Sequence, residues 1–415
     1  MTQKKGIVLS LLILLFNQTF AQETQWRGPQ RSGIFPESGL LQHWPEGGPE
    51  MILKVENIGN GYSSPVLQDD IIYVTGKKEE NDYLSAVNLE GEILYQVAYG
   101  KSWNNTYPDT RSTPTIEDNR IYLVSGMGEL VCLDRSNGTM LWSVNAHEKY
   151  QGEFHSWGVA ESPLIVDNMV FYTSGGPLTS VIAFDKLSGA EIWKTESVGG
   201  PRTYVSPVLY SNGNVRLILA STSDYVFGIR PEDGKVAWKY RYLPDDTAED
   251  RGATISTNSA VVKGNEIFIS KGYNQYGVML VISGDGKEVI EKWRTEVLDT
   301  HHGHYVNVGD HIFGSNWLNN AKGNWVCVKW DTGEVMYEAE WNTKGPIAFA
   351  DGKLYCCEER SGNIALVNPT PEKFDIVSSF RITEGTGPYW AHPYIKDGKL
   401  LTRHGEVLMV FNIKS

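Results

Sequence analysis

Past residue 50 the chain is written largely in short runs where apolar and polar positions alternate, as in "IIYV", "LVCLD", "VIAFD" and "NEIFI". A period of two, rich in Val, Ile, Tyr and Trp, is the pattern of a half-buried strand. The runs come in sets of four, and two kinds of turn separate them. One is "DD", "DN", "NG" or "DG" between the first and second runs. The other is a glycine turn before Trp142, Trp193, Trp238 and Tyr337, as in "DRSNGTMLW" and "DKLSGAEIW". Pro65, Pro114, Pro163, Pro207, Ala260, Tyr305, Pro346 and Pro393 hold matching places, 41 to 53 residues apart. Four-stranded units at that period predict propeller blades. A helical solenoid is excluded, because no 3.6-residue periodicity runs long enough.

The eighth unit ends at "EVLMVFNIKS", one strand short, while "EMILKVE" near the other end is a lone strand with no unit before it. Pairing the two closes the ring and removes an exposed sheet edge. The fold expected is an all-β, eight-bladed β-propeller over residues 51–415. The Gly/Pro-rich stretch "WRGPQRSGIFPESGLLQHWP" makes residues 22–50 an N-terminal clasp over it. Residues 1–21 read as a signal peptide: Lys4 and Lys5 precede the apolar run "GIVLSLLILLF", and "TFA" offers small residues for cleavage. The expected mature chain starts near Gln22 as an exported monomer without a membrane anchor, in the periplasm in preference to the medium.

Composition narrows this further. With 41% hydrophobic and 21% charged residues the chain can bury a sizeable core. The net charge of −13 repels nucleic acid and anionic membrane surfaces, so an anionic partner must meet a local concentration of Arg, Lys and His. Four cysteines are too few for a disulfide framework at this length. Cys132 and Cys327 sit in matching strands as small hydrophobes, and adjacent Cys356 and Cys357 face opposite sides of one strand.

"WRGPQRSG", "YSSPV", "WGVAESPLIV", "CLDRSNGTMLW" and "GPYWAHPYI" resemble the secreted pyrroloquinoline-quinone-like (PQQ-like) propeller proteins, over essentially all of the mature chain. The resemblance implies an eight-bladed propeller. It spans quinoprotein dehydrogenases, outer-membrane assembly scaffolds and members of unknown role, so it bears on fold more than on activity. A quinone dehydrogenase of that kind implies a calcium held by carboxylate and amide, an aspartate base, an aromatic floor and often a vicinal disulfide in an early blade. Here the cysteine pair lies in the seventh unit, within a strand, and no Asp-rich constellation stands out.

In a four-stranded blade the connections between blades and those joining strands two and three share one face. Sorted this way, the opposite face carries plain turns such as "EDN", "KGN" and "KDG". The first face gathers seven of the nine histidines, with arginines and aromatics. Turn chemistry accounts for the Asp/Asn/Gly face, and nothing in folding requires the other set, so that face is the expected functional rim. "HHGH", His301 to His304, lies on it just before an innermost strand.

Three chemistries compete for the rim. His302 and His304, alternating on an extended segment, and His392 in the matching place of the last unit could give three nitrogens to zinc. Hydrogen-bonding histidines are the preferred reading, and neither a metal nor PQQ is assigned as cofactor. Sugar chemistry is favoured: Trp157 and Trp390 to stack on a ring, and Arg111, Arg202, Arg251 and Arg403 to bind acidic groups. His155, His302, His304, His392 and Tyr204 are the proton-transfer groups. The expected function is elimination across C4–C5 of a uronic-acid-containing oligosaccharide, a carbon–oxygen lyase reaction. The alternatives are a non-catalytic glycan- or protein-binding scaffold and a PQQ-dependent alcohol or sugar dehydrogenase.

Overall fold

Turn chemistry and side-chain alternation set up the blades. The Asp residues of the first turns, among them Asp69, Asp118, Asp167, Asp351 and Asp397, take left-handed backbone conformations with φ between 46° and 57°. Each reverses the chain into an antiparallel partner. The computed structural model describes residues 24–242 and 255–415; the expected signal segment and Arg251 lie outside them. Within these residues the strands form eight antiparallel sheets arranged as the blades of one propeller.

Ring closure follows the sequence reading. The last sheet joins Tyr394–Lys396, Lys399–His404 and Val407–Asn412 to the N-terminal strand Glu50–Val55. Met51 pairs with Phe411, Leu53 with Val410 and Val55 with Leu408, with a bulge between Met51 and Leu53. Leu53 and Val55 thereby reach the core while Met51 and Ile52 face outward.

Two repeated contacts bind blade to blade, and both explain recurring sequence. The residue before the repeated proline is Ser or Thr in several units. The Ser64 N–H donates to the Thr113 hydroxyl, Thr113 N–H to Ser162 and Ser162 N–H to Ser206, at 2.9–3.1 Å. The second contact uses the glycine turns. Trp142 Nε1 donates to the Lys186 carbonyl and Trp193 Nε1 to that of Pro231, each in the following blade. The rings lie so close over Gly189 and Gly234 that a Cβ there would stand 2.8 and 2.5 Å from them. Both glycines also hold φ near +70°, so space and conformation require glycine together.

The clasp does more than cover the ring. Ile34–Phe35 adds a parallel fifth strand to Ile347–Ala350, and "WRGPQR" drives two arginine side chains into the central channel. Arg31 donates to the carbonyls of Ser162 (2.8 Å), Pro163 and Pro207 (3.0 Å), and to Gln25 Oε1. Arg27 donates to the carbonyls of Tyr305 (2.7 Å) and Ile347 (3.2 Å). Both are 2% exposed. The segment was expected as a clasp over the propeller; its arginines are instead a plug inside it. The four cysteines are free and buried, with Cys356 paired to Ala365 and Cys357 to Ile364 in ordinary strand register.

Arg31→Met leaves the Ser162 and Pro207 carbonyls without their donor, while Pro163 keeps the Thr115 hydroxyl, and losses of about 1–3 kcal/mol per buried unsatisfied group apply. The expected result is a lowered denaturant midpoint, equivalent to about 2 kcal/mol or more. An unchanged midpoint would show that water replaces the guanidinium at no cost.

Candidate functional site

On the face that holds the inter-blade connections, the channel opens into a cavity of about 300 Å³. Aromatic side chains form most of its wall. Trp390 stands 4.8 Å from Tyr62 and 5.7 Å from Tyr107, Tyr107 lies 6.3 Å from Trp157, and Trp157 lies 5.5 Å from Tyr204, ring centre to ring centre. Tyr273 completes the circle beside His301, and Trp26 of the plug adds a further ring beside His304 and His392. Arg111, His302 and Glu359 also line the cavity.

The "HHGH" stretch reaches this wall by an unexpected conformation. Gly303 presses on the Gly345 carbonyl, where a Cβ would stand 2.2 Å from the oxygen, and His304 adopts φ +57°. The segment is therefore bent, which corrects the expected alternation of His302 and His304 on one side. His302 faces Trp390 at 4.9 Å, while His304 turns to Trp26 at 4.7 Å. His392 is held at both nitrogens: Nδ1 accepts from Arg27 at 3.3 Å, and Nε2 donates to the His302 carbonyl at 3.1 Å. The trio His302, His304 and His392 thus does not converge as a nitrogen set for zinc.

The histidines of the mouth share one electrostatic condition. Burial pushes the His302 imidazole down to about 3, and the Lys344 and Arg111 cations add to it. His301, His304 and His392 are driven well below the usual imidazole range, chiefly by burial, with His302 and Lys344 beside the first and Arg27 beside the other two. All four are neutral near pH 7. Tyr204 accepts the Trp157 N–H at 3.0 Å, and burial raises its phenol to about 12, keeping it protonated.

An ion pair completes the wall. Glu359 Oε1 accepts from Lys344 Nζ at 2.8 Å, and Oε2 from the Trp390 indole at 3.1 Å. Burial raises the Glu359 carboxyl against the opposing pull of Lys344. Neither residue was anticipated, nor were Trp26, Tyr62, Tyr107 and Tyr273. Their signal was positional: Lys344 and Glu359 lie in the connections of the seventh blade on the rim face.

Of the expected site residues, Arg111, Trp157, Tyr204, His302, His304, Trp390 and His392 line the cavity. Others are used elsewhere. Arg202 is fully buried, paired with equally buried Glu161 at 3.0 Å, so it is not a substrate-binding group. Arg403 is likewise buried and donates to the carbonyls of Gly59, Thr75 and Gly405, joining the last blade to the first. His155 stands outside the wall, 6.2 Å from Tyr204.

A quinone with its calcium does not fit the groups present. Calcium takes six to eight oxygen ligands, yet Glu359 is the one carboxylate among the described lining residues, and Lys344 already holds it. Among the described residues no aspartate lines the cavity to serve as base, and the thiols of Cys356 and Cys357 lie within a strand, away from the wall.

Residues 80–338 match the family described as outer membrane protein assembly factor BamB. BamB of Escherichia coli (strain K12) is 24% identical over 180 residues, 42% of this chain and 41% of that protein. BamB of Shigella dysenteriae serotype 1 aligns to the same extent. The match spans about two fifths of these relatives' length. Among solved structures, BamB from Moraxella catarrhalis superposes with a TM-score of 0.62 at 15% identity, over 88% of this chain and 98% of that one. A quinohemoprotein alcohol dehydrogenase from Comamonas testosteroni gives 0.65 at 11% identity, over 93% and 79%. A europium-containing methanol dehydrogenase gives 0.60 at 13%, over 91% and 88%. At these identities the structures show a shared fold.

The lowered His302 value has a consequence for stability. Between the ordinary 6.5 and about 3 the unfolded chain binds a proton that the folded chain refuses, so His302's contribution is lost as pH falls through that window. The stability advantage of wild type over His302→Gln should shrink by up to about 1.4 kcal/mol per pH unit below 6.5. Denaturant titrations at pH 7, 6 and 5 measure it, and a constant difference would contradict a neutral buried imidazole.

Proposed function

The chain belongs to the PQQ-like propeller family of the outer membrane protein assembly factor BamB, and on that premise we propose that its mouth binds a carboxylate-bearing sugar and eliminates across C4–C5. The observation that carries this reading is the wall itself: among the described residues, flat aromatic rings, one arginine and neutral imidazoles around one cavity. Its volume of about 300 Å³ lies at the lower end for small-molecule pockets, in keeping with a short sugar segment. Aromatic faces suit the apolar faces of pyranose rings.

Arg111 is the group suited to the sugar carboxylate. Its guanidinium is anchored by the carbonyls of Asp109 and Tyr107 in its own loop and lies 5.7 Å from the Tyr62 ring centre. Pairing the carboxylate acidifies the C5 proton. In the elimination the C5–H bond breaks, its proton passing to the neutral His302 imidazole, while the protonated Tyr204 phenol is the acid available to the leaving oxygen. The electron pair forms the C4=C5 bond, the C4–O bond breaks, and the leaving oxygen takes a proton from a neighbouring acid. Export to the periplasm belongs to the same proposal.

A binding module is the second reading, favoured by one observation. His392 is committed at both nitrogens to the plug and to the neighbouring backbone, so part of the histidine set serves the architecture.

A panel of uronate oligosaccharides separates the readings. Elimination produces an ultraviolet-absorbing unsaturated uronate; binding without new absorbance selects the module, and no binding rejects both. Arg111→Ala should weaken binding roughly 10- to 100-fold, the loss of a charge-assisted contact, while acidic and neutral forms of one sugar should then bind alike.

A further inference from the structure

Three donors of the mouth converge. A nitrogen of His301, one of His302 and a carboxylate oxygen of Glu359 all lie within 4.8 Å of one another. Two ring nitrogens in this cluster, His301 Nδ1 and His302 Nε2, are buried and make no hydrogen bond. Orphaned buried polar atoms are costly and uncommon, and here two belong to imidazoles whose ring centres stand 4.0 Å apart. The Glu359 Oε2 atom stands 3.8 Å from His302 Nε2, too far for a hydrogen bond between them.

The surroundings hold these donors in position. His301 Nε2 lies 2.7 Å from the Tyr273 hydroxyl. With the proton on Nε2, donated to that oxygen, the Nδ1 lone pair is left facing the cluster. Metal-ligating imidazoles are commonly oriented through the second nitrogen in this manner. Glu359 is fixed through Oε1 by Lys344, whose ammonium also donates to the carbonyls of Asn319 and Asn320 at 2.9 and 3.2 Å. The cation is thus tied to the other carboxylate oxygen, while Oε2 accepts the Trp390 indole N–H and keeps a further lone pair beside the histidines.

From this arrangement we infer that His301, His302 and Glu359 bind a divalent transition-metal ion of the zinc class. Two imidazoles and one carboxylate match that class, whereas calcium and magnesium take oxygen sets. Bonds of about 2.0–2.2 Å need the donors closer than they now stand, a shift of roughly an ångström in side chains that line an open cavity. All three residues line the mouth, so a metal held by them would be within reach of water or a ligand oxygen. The site shares the mouth with the proposed sugar but rests on metal binding alone. Where both hold, His302 serves as a ligand and not as the base.

The test uses the full mature chain, stripped with a chelator and titrated with zinc in a calorimeter, then with cobalt(II) in a spectrophotometer. The expected result is one zinc per chain and the strong visible bands of four- or five-coordinate cobalt. His302→Gln and Glu359→Gln should weaken zinc at least about tenfold, and Tyr273→Phe about tenfold through the orientation of His301. His311→Ala, on the opposite face, should change nothing. Zinc binding that survives His302→Gln and Glu359→Gln, or an absence of zinc binding by wild type, would overturn the inference. Should a variant fail to fold, wild-type cobalt decides: a spectrum no different from the hydrated ion contradicts the site. Sugar binding is measured separately on the metal-free chain, so failure of either idea is visible on its own.

Discussion

The innermost strands of a closed ring have one edge with no neighbouring strand, and their carbonyls face a narrow channel. Buried carbonyls without donors cost free energy, so something must supply N–H groups there. In this protein two guanidiniums do so. Arg31 reaches the heads of the third and fourth inner strands, and Arg27 those of the sixth and seventh. A planar fork with five donors suits such a task, since one side chain can serve several carbonyls at once. Burial lowers the Arg27 guanidinium to about 9, which leaves it charged near neutrality.

The mouth depends on that plug. Arg27 closes the channel beneath the cavity and holds the His392 ring, while Trp26, the preceding residue, becomes part of the wall. His304 packs against the same indole. The nearby cations Arg27 and Lys344, together with burial, keep the histidines neutral. An acidic chain therefore carries a pocket whose fixed charges are Arg111 and the Lys344–Glu359 pair, surrounded by aromatic surface and neutral imidazole. Family membership does not by itself imply this pocket, since the shared fold supports proteins of different roles.

Much of the architecture was legible in the sequence because propeller repeats use local rules. Asp and Gly mark the turns, alternation marks the strands, and a strand missing at one end with a spare at the other fixes the closure. The rim was legible for the same reason: the two faces differ in connection type, so residues sort between them without coordinates. What stayed hidden depended on conformation or on distant partners. Nothing in "HHGH" announces that His304 takes a left-handed backbone, yet that bend separates His302 from His304. Arg202 reads as a rim cation in sequence, and only its distant partner Glu161, buried against it, gives it a structural role. Lys344 and Glu359 carry no local motif, and only the seventh blade's geometry brings them to the histidines.

The proposed function requires that the plugged channel form a ligand site at this one mouth. A crystal structure of the protein soaked with an unreactive uronate oligosaccharide tests it most directly. The prediction is a sugar ring against Trp157 or Trp390 with its carboxylate on Arg111, and Arg27 and Arg31 unmoved in the channel below. Sugar bound on the opposite face, or a channel opened by withdrawal of the two arginines, would contradict it.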